Sequence, residues 1–203
     1  MLTHLQPAVL AMVLAAAVSG RTLGQQPPRL PPPPPSAPIV QDLFTTQDFD
    51  SRVSEYVALH RMLEGPPQRP TLDMEDVVLK SRGLAARLQR ARAHARRGDI
   101  ITPDVARMFR RRIVSCLAPE AWSALFAEMA EDERGRPTPP APPLHVNAMW
   151  PADVVFNFVP PQLLMALPPL PPELQYRIVG RSLVLWDHHA NLIVDFLPAA
   201  FLT

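Results

Sequence analysis

The chain holds one cysteine, Cys116, among 203 residues. No disulfide can form within it, so its stability comes from packing even in an oxidising compartment. Glycine is almost as scarce, with 7 residues, which argues against a Gly-rich loop of the kind that cradles a nucleotide's phosphates. No CxxC, HExxH or GxSxG motif occurs, which removes the usual redox, zinc-protease and serine-hydrolase signatures. Aromatics make up 6% of the residues, and Phe109 alone lies within the arginine-rich stretch, so a nucleic-acid surface is not expected. After the N-terminal twenty residues, no uncharged run reaches the roughly 20 residues that a membrane-spanning helix needs, and the longest, the 19 residues 154–172, holds six prolines. The expectations are therefore no catalytic residue, no cofactor and no transmembrane segment in the mature chain.

What is present begins at the N-terminus. Residues 8–20 read AVLAMVLAAAVSG, 13 apolar or small residues without charge. That is too short to span a bilayer and the right length for the apolar region of a signal peptide. Thr22 and Gly24 place small side chains before a cut at Gln25, and Ala17-Val18-Ser19 offers a second cut. The rival reading, a buried core helix, fits poorly because a proline tract follows at once. Residues 1–24 are thus predicted to be a signal peptide, and the mature chain to be periplasmic or secreted. No cysteine lies near the cut to carry a lipid anchor.

Proline is abundant, at 27 residues, and it divides the chain. Residues 25–40 contain PPRLPPPPPSAP, an extended polyproline spacer or docking tract. A second proline-rich linker covers 134–143. Between them lies a helical part, 41–133, and after them a C-terminal part, 144–203.

Four helices are predicted in the helical part. The first covers about 48–64, with Phe49, Val53, Tyr56, Val57, His60 and Leu63 on one stripe. The second covers about 73–97, capped by Asp73 and stopped by Gly98, with Met74, Val77, Ser81, Leu84, Leu88, Ala91 and Ala95 facing inward. Gly83 inside it suggests a close crossing or a kink. The third starts at Thr102-Pro103-Asp104 and carries Val105, Phe109, Ile113 and Cys116 inward. The fourth runs from Pro119-Glu120 to about Asp132. A short helix over 160–167 follows the second linker. Then come three alternating apolar segments, 174–179, 182–187 and 191–196, joined by Gly180-Arg181 and by a turn at 187–191. The fold class is α+β: a four-helix N-terminal part, then a small three-stranded β-meander whose apolar face the short helix covers.

The segment PPQLLMALPPLPPELQYRIVGRSLVLWDHHANLIVDFLP resembles the C-terminal part of an uncharacterised family of exported bacterial proteins. The shared pattern is Leu167-Pro168, Leu170-Pro171, Tyr176 to Arg181, Leu183-Val184-Leu185 and Asn191 to Asp195. FDSRVSEYVALHRMLEG and GDIITPDVARMFRRRI look similar to such proteins too. The resemblance implies export and brings no activity. The strand–turn–strand ending is also distantly similar to the tail of periplasmic nickel/cobalt-homeostasis proteins, with no metal ligand carried onto a residue here.

Net charge is +1, but it is unevenly spread. Residues 73–112 hold 11 Lys and Arg against 5 Asp and Glu, a balance of +6, and residues 113–203 hold 4 against 9, a balance of −5. Either the basic middle binds an external anion, with Arg87, Arg90, Arg97, Arg110 and Arg111 as candidates, or it docks on the acidic part through charge. Asp187-His188-His189 is the nearest approach to a metal site, with His188 and His189 as candidate ligands and His145 or His94 as possible third donors. The plainer reading is a polar turn. Cys116 reads as a packed thiol rather than a nucleophile, and the acidic run at 128–133 as a solvated face. The expected function is a non-catalytic exported binding or structural module with an unknown envelope partner. The alternative is a periplasmic metal- or ligand-handling protein that uses the turn histidines.

Overall fold

The computed structural model describes residues 38–66, 73–130, 142–151, 154, 156, 157 and 159–201. The predicted signal peptide 1–24, most of the proline tract 25–40 and most of the linker 134–143 lie outside the described residues. All described residues fall within one compact unit.

Among the described residues five helices precede the sheet: α1 (Pro38–Glu64), α2 (Met74–Ala91), α3 (Pro103–Cys116), α4 (Pro119–Met129) and the short α5 (Pro161–Ala166). The antiparallel sheet follows as β1 (Leu174–Val179), β2 (Ser182–Asp187) and β3 (Leu192–Leu197), in the order β1-β2-β3. The α+β class stands, and α5 brings the helix count to five where the fold class names four. Among the described residues no helix is long and apolar enough to cross a membrane.

Two helix bounds differ from expectation. α1 starts at Pro38, ten residues before the predicted start and inside the segment assigned to the proline spacer. α2 ends at Ala91, not Arg97. The reason is Arg92: its guanidinium lies 4.8 Å from the Tyr56 ring centre and donates to Asn147 Oδ1 and the Val194 carbonyl. Those contacts turn the chain away from the helix axis. The predicted inward stripe of α2 is also only half right. Leu84, Ala85 and Leu88 are buried, whereas Met74 and Val77 are exposed. Gly83 marks no close crossing, since an added Cβ would meet only the tip of Arg87, at 3.5 Å. α3 begins as its sequence dictates, with the Thr102 side chain accepting the Val105 N–H and Pro103 in the first position.

One core joins helices and sheet. Phe49, Val53 and Val57 of α1, Leu88 of α2 and Phe109 and Ile113 of α3 pack with Tyr176, Ile178, Leu183, Leu185 and Val194. Leu163 and Leu167 beside α5 are buried in the same core, while Leu164 is exposed. The other sheet face is not bare. Trp150, Val179, Val184 and Ile193 form a second cluster, with Leu144, Phe156, Trp186 and Phe196 packed against it. The segment after the second linker therefore covers that face. It pairs with β3 through the Asn147 N–H to the Ile193 carbonyl and the Trp150 N–H to the Asn191 carbonyl.

The first hairpin has the predicted two-residue turn: Val179 faces Ser182, and Gly180 has φ +54°. The second pairing is irregular. Leu185 faces Asp195 but Trp186 faces Ile193, so Val194 is an extra residue in β3. A bulge re-aims the side chains beyond it. Phe196, which unbroken alternation would put on the same face as Leu192 and Val194, instead joins the second cluster. Asp195 turns toward the helices and is fully buried. Its carboxylate accepts the N–H groups of Gly98, Ile100 and Ile101, at 2.8–3.0 Å. That is what holds the α2–α3 connection against the sheet.

Candidate functional site

Tyr56, His60 and Glu64 follow one another at four-residue intervals, so they share one face of the last turns of α1. Asp187 ends β2 and is fully buried, as is His60. A buried charge needs partners, and Asp187 has three. Tyr56 Oη donates to its Oδ2 at 2.6 Å, His60 Nδ1 lies 2.6 Å from the same oxygen, and the Ala190 N–H reaches Oδ1 at 2.9 Å. An ionised carboxylate only accepts, so Nδ1 of His60 carries the proton.

The other ring nitrogen of His60 faces outward. Its Nε2 lies 3.2 Å from Glu64 Oε2, and Glu64 Oε1 lies 3.2 Å from His189 Nδ1. The imidazole therefore sits between two carboxylates. Burial works against charge on this ring, but the hydrogen bond to Asp187 and the charges of Asp187 and Glu64 outweigh it, and the His60 pKa is raised. Burial likewise pushes the Asp187 carboxyl up, yet the hydrogen bonds from His60, Tyr56 and Ala190 hold it below its ordinary value. Burial, followed by the charge of Asp187, pushes the Tyr56 hydroxyl far above its usual range, so it stays a donor.

The network opens into a cleft of about 1560 Å³. From α2 the lining takes Val77, Val78 and Leu79 together with Lys80, Arg82 and Arg87; Arg61, Glu64, Glu173, His188 and His189 line it as well. Glu173 is nearly buried and pairs with Arg61 at 2.5 Å. Its second oxygen, Oε2, is buried without a hydrogen-bond partner. A smaller groove beside β1, of about 680 Å³, has Arg177 as its one charged lining residue among those described. That guanidinium is already stacked on Phe156 and Trp186, 5.4 and 5.1 Å from the ring centres.

The chain matches no family model, no curated protein and no solved structure.

The residues singled out from the sequence fare unequally. His189 reaches the network. His188 does not: its Nε2 lies 2.6 Å from the Pro172 carbonyl. Neither His94 nor His145 belongs to a metal-capable cluster among the described residues. The arginines do not form one anion cradle. Arg87 donates to the Leu63 carbonyl, Arg110 to the carbonyls of Pro198 and Ala199, and Arg111 pairs with Asp42. Arg97 lies 5.8 Å from the Phe196 ring centre, and Arg90 is exposed. Nor does charge pairing join the basic middle to the acidic C-terminal part: among the described residues no arginine of 73–112 forms an ion pair with a carboxylate of 113–203. Buried hydrogen bonds join them instead. Cys116 is half-buried, and burial raises its pKa, which keeps the thiol protonated and unreactive.

Sequence reasoning missed His60, Glu64 and Asp187 as a set. By spacing alone His60 belongs to the apolar stripe of α1. A histidine in that position needs a buried polar partner, and that demand was the one available signal. The Asp–His pair as built does not activate a nucleophile, because the group at Nε2 is a carboxylate rather than a hydroxyl or thiol.

Proposed function

We propose that this protein is an exported, non-catalytic binding module of the cell envelope, and that its ligand enters the cleft between the end of α1, the start of α2 and the β2–β3 turn. The observation that carries this reading is that the buried His60–Asp187 network surfaces in that cleft, through Glu64 and His189, beside the mixed apolar and basic lining of α2. A concave site with apolar lining and a few convergent polar groups has the character of a binding site. Export is supported by the 13-residue uncharged run before a small-residue cut and by the resemblance to an exported family. The reading of the turn histidines as handling a metal is favoured by one specific contact, that of His189 with Glu64 beside His60.

Hydrogen–deuterium exchange tests the cleft. Envelope extract added to the purified chain should slow amide exchange in 74–84 and 188–191 and leave 103–116 unchanged. Equal exchange with and without extract overturns the cleft as a binding surface. N-terminal sequencing of the envelope-borne protein tests export, with a chain beginning at Gln25 or Gly20 expected and one beginning at Met1 in the cytoplasm excluding it.

A further inference from the structure

We infer that His60, Glu64 and His189 bind one divalent transition-metal ion, with Asp187 as the outer partner that orients His60. The inference rests on the cleft being a binding surface, and it names the ligand class. His60 Nε2, a Glu64 carboxylate oxygen and His189 Nδ1 all lie within 4.8 Å of one another. Glu64 bridges the histidines through its two oxygens, Oε2 lying 3.2 Å from His60 Nε2 and Oε1 3.2 Å from His189 Nδ1. In a tetrahedral site with bonds of about 2.0–2.2 Å, neighbouring donors are roughly 3.3–3.6 Å apart. With one Glu64 oxygen as donor, one edge is therefore already close to its final length, and a small turn of the exposed Glu64 and His189 side chains closes the others around His60, which Asp187 holds in place.

Chain topology supports the same conclusion. His60 and Glu64 are four residues apart on a helix and so present donors on one face. His189 comes from the β2–β3 turn, 125 residues after Glu64. A site assembled from a helix and a distant turn is rigid once the fold is complete.

Asp187 supplies the part most often missing from an accidental cluster. A metal-ligating histidine gives its other ring N–H to a carboxylate or carbonyl, which fixes the tautomer and the ring plane. Here His60 Nδ1 meets Asp187 at 2.6 Å, and Asp187 is itself held by Tyr56 and the Ala190 N–H. The lone pair of Nε2 is thereby directed at Glu64 and His189. Without an ion, two carboxylates share one imidazolium; an ion takes the place of the Nε2 proton and is balanced by the same charges. Metal affinity must therefore fall as pH falls.

The donor set selects the ion class. Two imidazoles and a carboxylate suit zinc, nickel or copper(II); the absence of a thiolate disfavours copper(I), and the imidazoles disfavour calcium and magnesium. Three protein donors leave a coordination position open to the cleft. Glu64 and His189 are 43% and 39% exposed, so an ion can enter from solvent.

Calorimetric titration with zinc tests this on the chain purified without a histidine tag and stripped with chelator. One equivalent should bind at neutral pH. Glu64→Gln and His189→Ala, both at exposed side chains and so compatible with folding, should each weaken binding by about 100-fold or more, whereas His188→Ala should leave it unchanged. Cobalt(II) substituted for zinc should give a visible absorption band that changes in the first two variants only. Asp187→Asn should weaken binding about 10–100-fold, with circular dichroism showing that the helices remain. Three results overturn the inference: no zinc uptake by the parent chain, uptake unaltered in Glu64→Gln and His189→Ala, or equal loss in His188→Ala. If zinc uptake fails while envelope extract still protects 74–84 and 188–191, the metal is wrong and the cleft stands. If exchange protection fails as well, both readings fall.

Discussion

Asp187 and His60 form the contact on which the site depends, and their titration predicts its pH behaviour. His60 is faced by Asp187 and Glu64, with the His189 ring 5.5 Å away, and Tyr56 shares Asp187 under the Arg92 guanidinium. Its pKa is raised in the fold. The stability it contributes is full below about 6.5, the unfolded value, and is lost as pH climbs through the higher folded value. Asp187 is lowered, so its contribution is present above about 4 and is lost as pH falls through the folded value. The pair contributes most between about pH 4 and 6.5. Melting temperatures of the chelator-stripped chain should decline above that window. Asp187→Asn should flatten the profile between about pH 5 and 8, and a variant profile parallel to that of the parent would exclude the pair as its cause. Asp195 makes a second prediction at this scale. It accepts four backbone N–H groups, from Gly98, Ile100, Ile101 and Phe196. Asp195→Ala leaves several of them buried without partners, at about 1–3 kcal/mol each. Urea unfolding should show a loss of about 3 kcal/mol or more, and a loss under about 1 kcal/mol would mean that water replaces the carboxylate.

Among the elements, the first hairpin was fully legible. Alternation over 174–179 and 182–187, broken by Gly180-Arg181, fixes both strands, the turn and the register. Gly180→Val should cost about 1–3 kcal/mol. The cost comes from backbone strain at φ +54° rather than crowding, because nothing lies within 4 Å of an added Cβ. Arg181 departs from expectation. Turn chemistry alone makes its side chain dispensable, yet its guanidinium sits 4.1 Å from the Phe126 ring centre and donates to the Phe201 carbonyl. Arg181→Ala should therefore cost about 1 kcal/mol in the same urea experiment, and a silent substitution would show that these contacts carry no net energy. The third strand was legible in position but not in facing. No local pattern announces the extra residue, Val194, because each neighbour is compatible with either side. Asp195 flanked by apolar residues reads as an exposed position until its three partners from the α2–α3 connection are seen. α2 was overextended for a similar reason: residues 92–97 have helical propensity, and tertiary contacts of Arg92 decide otherwise.

At the scale of the whole molecule, the α+β class and the order of elements followed from periodicity and capping. The unity of the core and the site did not, because both depend on pairs more than 100 residues apart. Leu144, Ala148, Trp150, Val154 and Phe156 follow no periodicity to betray that they cover the sheet's second face. Charge asymmetry suggested two parts held together electrostatically, and the structure holds them through shared burial. Fragments 38–130 and 142–203 should thus be unfolded separately and acquire helical and sheet signals only when mixed. Raising salt to about 1 M should leave that association largely intact, since buried contacts are screened far less than exposed ones. Dissociation by salt alone would restore the electrostatic account.

The contact between His60 and Asp187 spans 127 residues of chain, and this has a consequence for folding kinetics. A chain emerging from its N-terminus presents α1 long before β2 exists. Until β2 arrives, His60 lacks its partner and the apolar faces of α1 and α3 have no sheet to cover them. Closing so long a loop before its contacts repay the entropy makes folding slow and nearly all-or-none. The finished C-terminal strands act as the latch, so a chain threaded through a membrane would stay pliable until its last third had crossed.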